Sequence, residues 1–257
     1  MWRCQAVGAM LMMVAACEAA PDAYEERTVS VSADGRNLEY RYRLMRPAAV
    51  EAGKTYPLVL FLHGAGERGN DNAKQLKYLP TWLGEPESRR THPCFVLAPQ
   101  CREGSRWVEV NWSDKTAVPQ TPEPTADLAA AVAALDAVMR AEPVDRDRVY
   151  LTGLSMGGYG SWDLAARMPE RFAAMIPICG GGDEATAPQL KTLPIWCFHG
   201  AADEVVPVAR SRSMVEAVRA AGGSPKYTEF ESVGHDSWTP AYRDPDTLDW
   251  LFRQRRP

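Results

Sequence analysis

The sequence predicts an α/β fold in which a mostly parallel central sheet carries helices on both faces and an antiparallel hairpin comes first. Three observations support this. Short apolar runs alternate with longer segments of helical spacing, two opening segments alternate with a period of two around a turn, and glycine-rich turns follow several of the apolar runs. The chain has 257 residues and is 46% hydrophobic, enough for one sizeable core.

The amino terminus has the pattern of an export signal. Residues 6–16 are apolar and follow a single positive charge at Arg3, a run too short to span a bilayer. Small residues then precede Cys17, which resembles a lipobox whose cysteine is acylated; ordinary cleavage near Cys17-Glu18-Ala19 is the alternative. We expect a signal peptide over 1–16, a tether over 17–26 and one folded domain over 27–257. The protein is then exported, as a periplasmic or cell-surface lipoprotein anchored through Cys17, or secreted.

The strands follow from apolar alternation and from short buried runs bounded by turn residues. The opening hairpin is predicted at Thr28–Ser32 and Leu38–Met45, with a turn at 33–35. The central strands are predicted at Tyr56–Leu62, Cys94–Ala98, Val149–Thr152, Ala173–Ile178, Ile195–Phe198 and Lys226–Phe230.

The helices follow from apolar residues three or four positions apart. They are predicted at Thr125–Ala141, Ser155–Met168, Val208–Ala221 and Pro245–Arg253. Two connections, 66–93 and 100–124, are longer than a compact domain needs, and long loops of this kind are often functional.

The most informative motif is Gly153-Leu154-Ser155-Met156-Gly157, which lies between a predicted strand and a predicted helix. The pattern G-x-S-x-G is typical of a nucleophile elbow, a turn so tight that glycine is needed on both sides of the serine. The serine hydroxyl then stands clear of the backbone, at the amino end of a helix.

Two further loops supply the partners that a serine nucleophile needs. Asp203 follows the strand predicted at 195–198, and His235 follows the strand predicted at 226–230. Because the carboxyl ends of parallel strands meet at one edge of a sheet, we expect Ser155, Asp203 and His235 to converge there as nucleophile, acid and base. Asp163, Asp236 and Asp244 are rival candidates for the acid.

An oxyanion site is predicted beside the serine. The strand at 56–62 runs into His63-Gly64-Ala65-Gly66-Glu67, a turn that can aim a backbone N–H at the reacting carbonyl. We assign the two donors to the N–H groups of Ala65 and Met156. His63 and His199 are interpreted as structural residues rather than as groups that act in the chemistry.

These motifs resemble the α/β-hydrolase superfamily. The resemblance runs from about Thr28 to Phe252 and is carried by the segments 62–69, 149–160, 178–182 and 199–207. More narrowly, the chain resembles bacterial esterases described as predicted peptidases or phospholipase/carboxylesterase-like, close to feruloyl-esterase and polyhydroxybutyrate-depolymerase-type enzymes. The resemblance implies a serine carboxylic-ester hydrolase that works through an acyl-enzyme, with feruloyl or acetyl esters of plant polysaccharide among its candidate substrates. A serine peptidase of the same fold and a non-catalytic binding protein are the alternatives.

Aromatic residues in the long loops are candidates for substrate binding. Trp112 lies in the second long connection and Trp238 follows His235 by three residues, so both can line the site; packing of the loops is the alternative for each. Glu67 is a third candidate, either binding substrate or polarising the oxyanion turn, and a salt bridge with Arg68 is its alternative. For Trp107 we favour packing.

Charge and cysteine spacing limit the kinds of partner and cofactor that we expect. The net charge is −4 and the sequence pI about 5.7, which argues against nucleic acid. The sequence has no zinc-type cysteine spacing and no H-E-x-x-H motif, so we expect neither a metal nor another cofactor. A disulfide between Cys94 and Cys101 is possible in an exported protein, but the strand predicted between them would hold the two cysteines too far apart for one, so both alternatives stay open. Cys179 and Cys197 are expected to be buried.

Overall fold

A computed structural model describes residues 23–33 and 35–256, so the predictions for residues 1–22 and for Asp34 in the hairpin turn lie outside it. The strands are β1 (Tyr24–Ala33), β2 (Arg36–Met45), β3 (Tyr56–Leu62), β4 (Phe95–Pro99), β5 (Val144–Leu154), β6 (Ala174–Ile178), β7 (Trp196–Gly200) and β8 (Lys226–Phe230). The α-helices are α1 (Leu79–Leu83), α2 (Pro86–Thr91), α3 (Ala126–Ala141), α4 (Met156–Arg167), α5 (Ala209–Ala220), α6 (Trp238–Arg243) and α7 (Pro245–Arg253).

All eight strands join one sheet in the order β1–β2–β4–β3–β5–β6–β7–β8. β1 pairs antiparallel with β2, and β2 pairs antiparallel with β4. The six strands from β4 to β8 in this order pair in parallel. The predicted fold class is therefore confirmed. The parallel strands end at one edge, and the loops that leave this edge carry the candidate site.

Helices cover both faces of the sheet. One apolar cluster packs α3, α4 and α5 against side chains such as Leu60 and Leu151, which are fully buried. The other packs α1, α6 and α7 against Phe61, Tyr150 and Ile176, whose side chains point to the opposite face. Neighbouring residues of a strand point to opposite faces, so strands buried on both sides are continuously apolar, as β3 is.

The connection at 66–93 differs from the irregular loop that the sequence indicates, because it contains α1 and α2 as well as a 3-10 helix at Lys74–Leu76. The second connection, over 100–124, has no helix or strand in the structure. β5 begins at Val144, five residues earlier than predicted, because Val144 pairs with Tyr56 of β3.

In the described part of the chain Cys94, Cys101, Cys179 and Cys197 are free and buried, and burial is what the sequence predicts for the last two. β1 begins at Tyr24, three residues before the boundary predicted at residue 27. Across residues 23–33 and 35–256, none of the helices has the length and apolar character needed to cross a bilayer.

Candidate active site

Ser155 occupies a strained turn between β5 and α4. Its φ is 53° and its ψ −119°, a conformation that side chains rarely adopt. A side chain on Gly157 would collide with the carbonyl oxygen of Leu62, and one on Gly153 with the carbonyl oxygen of Gly157. The expectation of glycine on both sides of the serine is confirmed. The Ser155 amide donates to the Ile178 carbonyl at 2.9 Å, which ties the turn to β6.

The three residues expected to converge do lie together. Nε2 of His235 is 2.9 Å from Oγ of Ser155, and Nδ1 of the same ring is 2.8 Å from Oδ2 of Asp203. The Asp203 side chain is fully buried, whereas 23% of the His235 side chain is exposed. The arrangement is a continuous chain of hydrogen bonds from a buried carboxylate to a serine hydroxyl, the geometry that activates a nucleophile.

Asp203 remains ionised because donors surround it. Burial alone would raise its pKa, but hydrogen bonds from His199, from His235 and from the Val206 amide outweigh burial and hold the pKa well below its usual range. Its other oxygen, Oδ1, accepts from the Val205 and Val206 amides at 2.8 and 2.9 Å. A carboxylate held this way can stabilise a positive charge on the neighbouring imidazole.

The rival acids have other partners. Asp163 pairs with Arg167 on α4. Asp236 accepts from the amide and hydroxyl of Thr239. Asp244 caps the amino end of α7.

The residues predicted to bind an oxyanion begin two helices beside Ser155. Met156 is the first residue of α4, and Ala65 is the first residue of a short 3-10 helix that ends at Glu67. Backbone N–H groups in the first turn of a helix have no acceptor within it, so they can bind a developing negative charge. Ala65 and Ser155 line the same cleft.

His63 braces this turn, in keeping with the structural role expected for it. Its Nδ1 is 2.6 Å from the Gly64 carbonyl and donates to it, while Nε2 accepts from the Cys101 amide at 3.0 Å. The ring is fully buried, and burial lowers its pKa to about 4. It is therefore neutral at ordinary pH. The buried indole of Trp107 donates to the His63 carbonyl at 2.9 Å and also holds this turn in place. Trp107 therefore packs the loop onto the domain, as predicted.

The cleft above Ser155 has a volume of about 380 Å³ and brings together the substrate-binding candidates Trp112, Trp238 and Glu67. Trp238 packs edge-on against the His235 ring, with centroids 5.2 Å apart. Glu67 is buried, and burial raises its pKa. Arg68 donates to the carbonyls of Ala65 and Ser105 instead of forming the salt bridge considered for Glu67.

Tyr78 is a lining residue that the sequence does not single out. It has a φ of 62°, and its ring lies 5.4 Å from that of Trp238. Its place in the cleft depends on how the segment 66–93 folds back over the sheet, and no local motif signals it.

Cys179 is a second residue whose position near the site the sequence does not predict. Its buried thiol lies within 4.8 Å of the Asp203 and His235 ligand atoms, and burial, with Asp203 nearby, raises its pKa so that it stays neutral.

Known proteins are similar to this chain over most of its length. The model of the family described as phospholipase/carboxylesterase matches residues 47–244. The chain is 25% identical over 205 residues to a Probable carboxylesterase of Oryza sativa subsp. japonica, covering 74% of this chain and 75% of the relative. It is 27% identical over 203 residues to a Probable feruloyl esterase C of Aspergillus niger, covering 77% and 67%.

A solved structure described as a thermostable esterase is 40% identical and superposes with a TM-score of 0.82. The match covers 91% of this chain but 64% of that one, so the solved chain is the longer of the two. The sheet order and the serine turn define an α/β-hydrolase. Within that superfamily, the chain belongs to the phospholipase/carboxylesterase family and is a carboxylesterase-type hydrolase.

Proposed function

We propose that the protein hydrolyses carboxylic esters through a covalent acyl-enzyme on Ser155. The observation that carries this proposal is the chain of hydrogen bonds from Asp203 through His235 to the Ser155 hydroxyl, at 2.8 and 2.9 Å. Oγ of Ser155 bonds to the ester carbonyl carbon while Nε2 of His235 takes the hydroxyl proton. Asp203 holds the tautomer in which Nε2 is free to accept, and it stabilises the imidazolium that forms.

The tetrahedral intermediate then collapses. The carbon–oxygen bond to the alcohol breaks, and the alcohol leaves with the proton held by His235. Water enters and gives a proton to His235 as its oxygen bonds to the acyl carbon. The bond to Ser155 breaks, the serine recovers its proton and the free acid departs. In both halves the N–H groups of Ala65 and Met156 bind the oxyanion, a contribution worth about 3 kcal/mol for each donor.

The substrates that we propose are esters of aromatic acids, hydroxycinnamoyl esters linked to sugars among them. Support comes from the lining of the cleft, where Tyr78, Trp112 and Trp238 offer ring faces and edges to an aromatic acyl group. Glu67 contributes a buried carboxyl whose raised pKa suits a hydrogen bond with a phenolic hydroxyl. A cleft of about 380 Å³ accommodates one such group. The similarity to a fungal protein named as a feruloyl esterase agrees with this choice.

The test compares methyl ferulate with 4-nitrophenyl acetate in the wild type, in Trp112→Ala and in Trp250→Ala. Trp250 packs against Trp196, away from the cleft, and serves as the matched control. Loss of one aromatic contact should lower kcat/KM for methyl ferulate about tenfold relative to the acetate in W112A and leave the ratio unchanged in W250A. An unchanged ratio in W112A, or a wild type that turns over the acetate alone, would contradict the aromatic specificity.

The same assay separates an esterase from a peptidase. A nitroanilide and a nitrophenyl ester of one acyl group present the same acid with different leaving groups. We expect the ester to be hydrolysed much faster than the anilide, because esters are intrinsically easier to cleave than amides. Comparable rates would favour the peptidase alternative, and turnover of neither by correctly folded protein would favour a binding protein.

We also propose that the protein is exported and anchored through an acyl chain on Cys17. Support comes from the amino-terminal sequence, in which an apolar run ends in small residues before this cysteine. Metabolic labelling with palmitate in a bacterial host tests it: the full chain should be labelled, and Cys17→Ser should not. An unlabelled wild type found in the medium would support ordinary secretion.

A further inference from the structure

His199 is the penultimate residue of β7 and lies directly behind the candidate acid. Its side chain is fully buried, and Nε2 lies 3.1 Å from Oδ2 of Asp203 and 3.1 Å from the carbonyl oxygen of Val206. Both neighbours are hydrogen-bond acceptors, so Nε2 carries a hydrogen and donates it. Oδ2 of Asp203 therefore receives hydrogen bonds from two imidazole rings, those of His199 and His235.

The other side of the His199 ring is also fixed. Nδ1 lies 2.7 Å from Oγ of Ser211, on α5, and the same oxygen lies 2.9 Å from the carbonyl oxygen of Gly180. The hydroxyl has one hydrogen, so either it donates to Nδ1 of a neutral ring, or it donates to Gly180 and Nδ1 of a charged ring donates to Oγ. Gly180 follows β6 and packs so closely against α4 that a side chain there would strike the backbone of Gly158 and Tyr159. The ring thus connects the Asp203 loop to α5 and, through Gly180, to the helix that begins at the serine turn.

We propose that His199 is a positioning residue for catalysis: it holds Oδ2 of Asp203 in place and keeps this carboxylate an anion directed at His235. The inference rests on the roles proposed for Ser155, Asp203 and His235. It assigns no contact between His199 and the substrate, since the ring is fully buried and Asp203 lies between it and His235.

Three titratable side chains near this pair keep one charge state over the working pH range. Burial raises the pKa of the Cys179 thiol, and it raises the pKa of Tyr159 to about 12, so both stay neutral. The hydrogen bond from Arg212 lowers the pKa of Glu229 to about 2, so this carboxylate stays ionised. A change in the pH profile after substitution of His199 therefore does not arise from the titration of these three groups.

The experiment uses the variants His199→Leu and His199→Gln. Leucine removes the donor to Asp203, whereas the glutamine amide reaches about as far as Nε2 and can replace it. We expect H199L to lose about ten- to a hundredfold in kcat/KM with KM nearly unchanged, since hydrogen bonds to buried charges have this value. An Asp203 that has lost a donor attracts the His235 proton more strongly, so the acid limb of the kcat/KM profile should move to higher pH. H199Q should recover most of the rate and the wild-type limb.

Three further measurements keep the outcome interpretable. Rates are normalised by titrating active sites with a fluorophosphonate, so a loss of folded protein does not pass for a loss of rate. His92→Leu is the matched control, because His92 is a half-buried histidine that stacks on Phe252 and bonds to Asp249, both on α7, so its loss should leave both rate and profile unchanged. Should H199L fail to fold, Ser211→Ala replaces it: releasing Nδ1 should give a smaller loss, about two- to fivefold, with the same direction of shift.

The proton on Nδ1 of His235 gives a readout that does not depend on turnover. Its downfield resonance in the proton spectrum should persist in H199Q and move or broaden in H199L. A wild-type profile and resonance in H199L would overturn the proposal. If Ser155→Ala keeps its esterase activity, the proposed function fails, and the resonance still reports whether His199 holds Asp203 against His235.

Discussion

Replacing Asp203 by asparagine removes one charge and keeps the shape of the side chain, which makes it the sharpest test of the acid. The carboxylate accepts four hydrogen bonds, from the rings of His199 and His235 and from the amides of Val205 and Val206. An asparagine has one acceptor oxygen, so whichever way it turns, one pair of donors faces an NH₂ group. If that pair is the two rings, His235 is driven into the tautomer whose Nε2 cannot accept the Ser155 proton.

The expected loss follows from this mismatch. The wrong tautomer and the missing charge together should lower kcat about 10³- to 10⁴-fold, or about 4 to 5.5 kcal/mol, as asparagine does at the equivalent position of serine proteases. The assay is steady-state hydrolysis of 4-nitrophenyl acetate. Asp236→Asn is the control, because within residues 23–33 and 35–256 the side chain of this neighbour of His235 bonds to Thr239 alone, so the change should alter kcat less than twofold. A loss below tenfold in D203N, or an equal loss in D236N, would refute the assignment of the acid.

Three predictions concern stability and are checked by urea unfolding. Burial lowers the pKa of His63 from 6.5 to about 4, so the neutral ring stabilises the folded state fully above pH 6.5, and about 3 kcal/mol of this stability is lost as the pH falls to 4. His63→Gln should lack this pH dependence. Equal slopes of unfolding free energy against pH in the variant and the wild type would contradict the prediction. Burial raises the pKa of Glu67 above 4.5, so folding becomes less favourable as the pH rises past that value. The unfolding free energy of Glu67→Gln should therefore increase relative to that of the wild type from pH 4 to pH 7. A difference in unfolding free energy that stays constant over this range would contradict the prediction. Gly157→Ala forces a methyl group onto the Leu62 carbonyl and should lower the unfolding free energy by about 3 kcal/mol or more. Gly66→Ala has open space around the new methyl group and should lower it by less than about 0.5 kcal/mol. Similar losses in the two variants would contradict the need for glycine at position 157.

Much of the fold could be predicted from local pattern. The bounds predicted for β3, β8 and α7 match the structure, because a buried strand or an amphipathic helix is fixed by apolar spacing. The start of β5 was missed because Val144 is followed by four charged residues, a stretch that looks like surface. α1 and α6 were missed because helices of five or six residues depend on tertiary packing rather than on their own sequence.

Part of the candidate site could also be predicted from local pattern, and part depends on tertiary structure. Ser155, Asp203 and His235 could be chosen because each lies in the turn or loop that leaves a predicted strand, and the sheet brings strand ends together. Tyr78 and the contact of His199 with Asp203 could not be chosen, since they depend on how a long loop folds back and on the rotation of one buried ring.

Chemical labelling identifies the nucleophile directly. A fluorophosphonate forms a stable bond with an activated serine, and peptide mass mapping locates the bond. We expect one adduct per chain, on the peptide containing Ser155, with ester hydrolysis lost in proportion to labelling and both absent in Ser155→Ala. An adduct on another residue, or an S155A variant that hydrolyses esters at the wild-type rate, would contradict the assignment of Ser155 as the nucleophile.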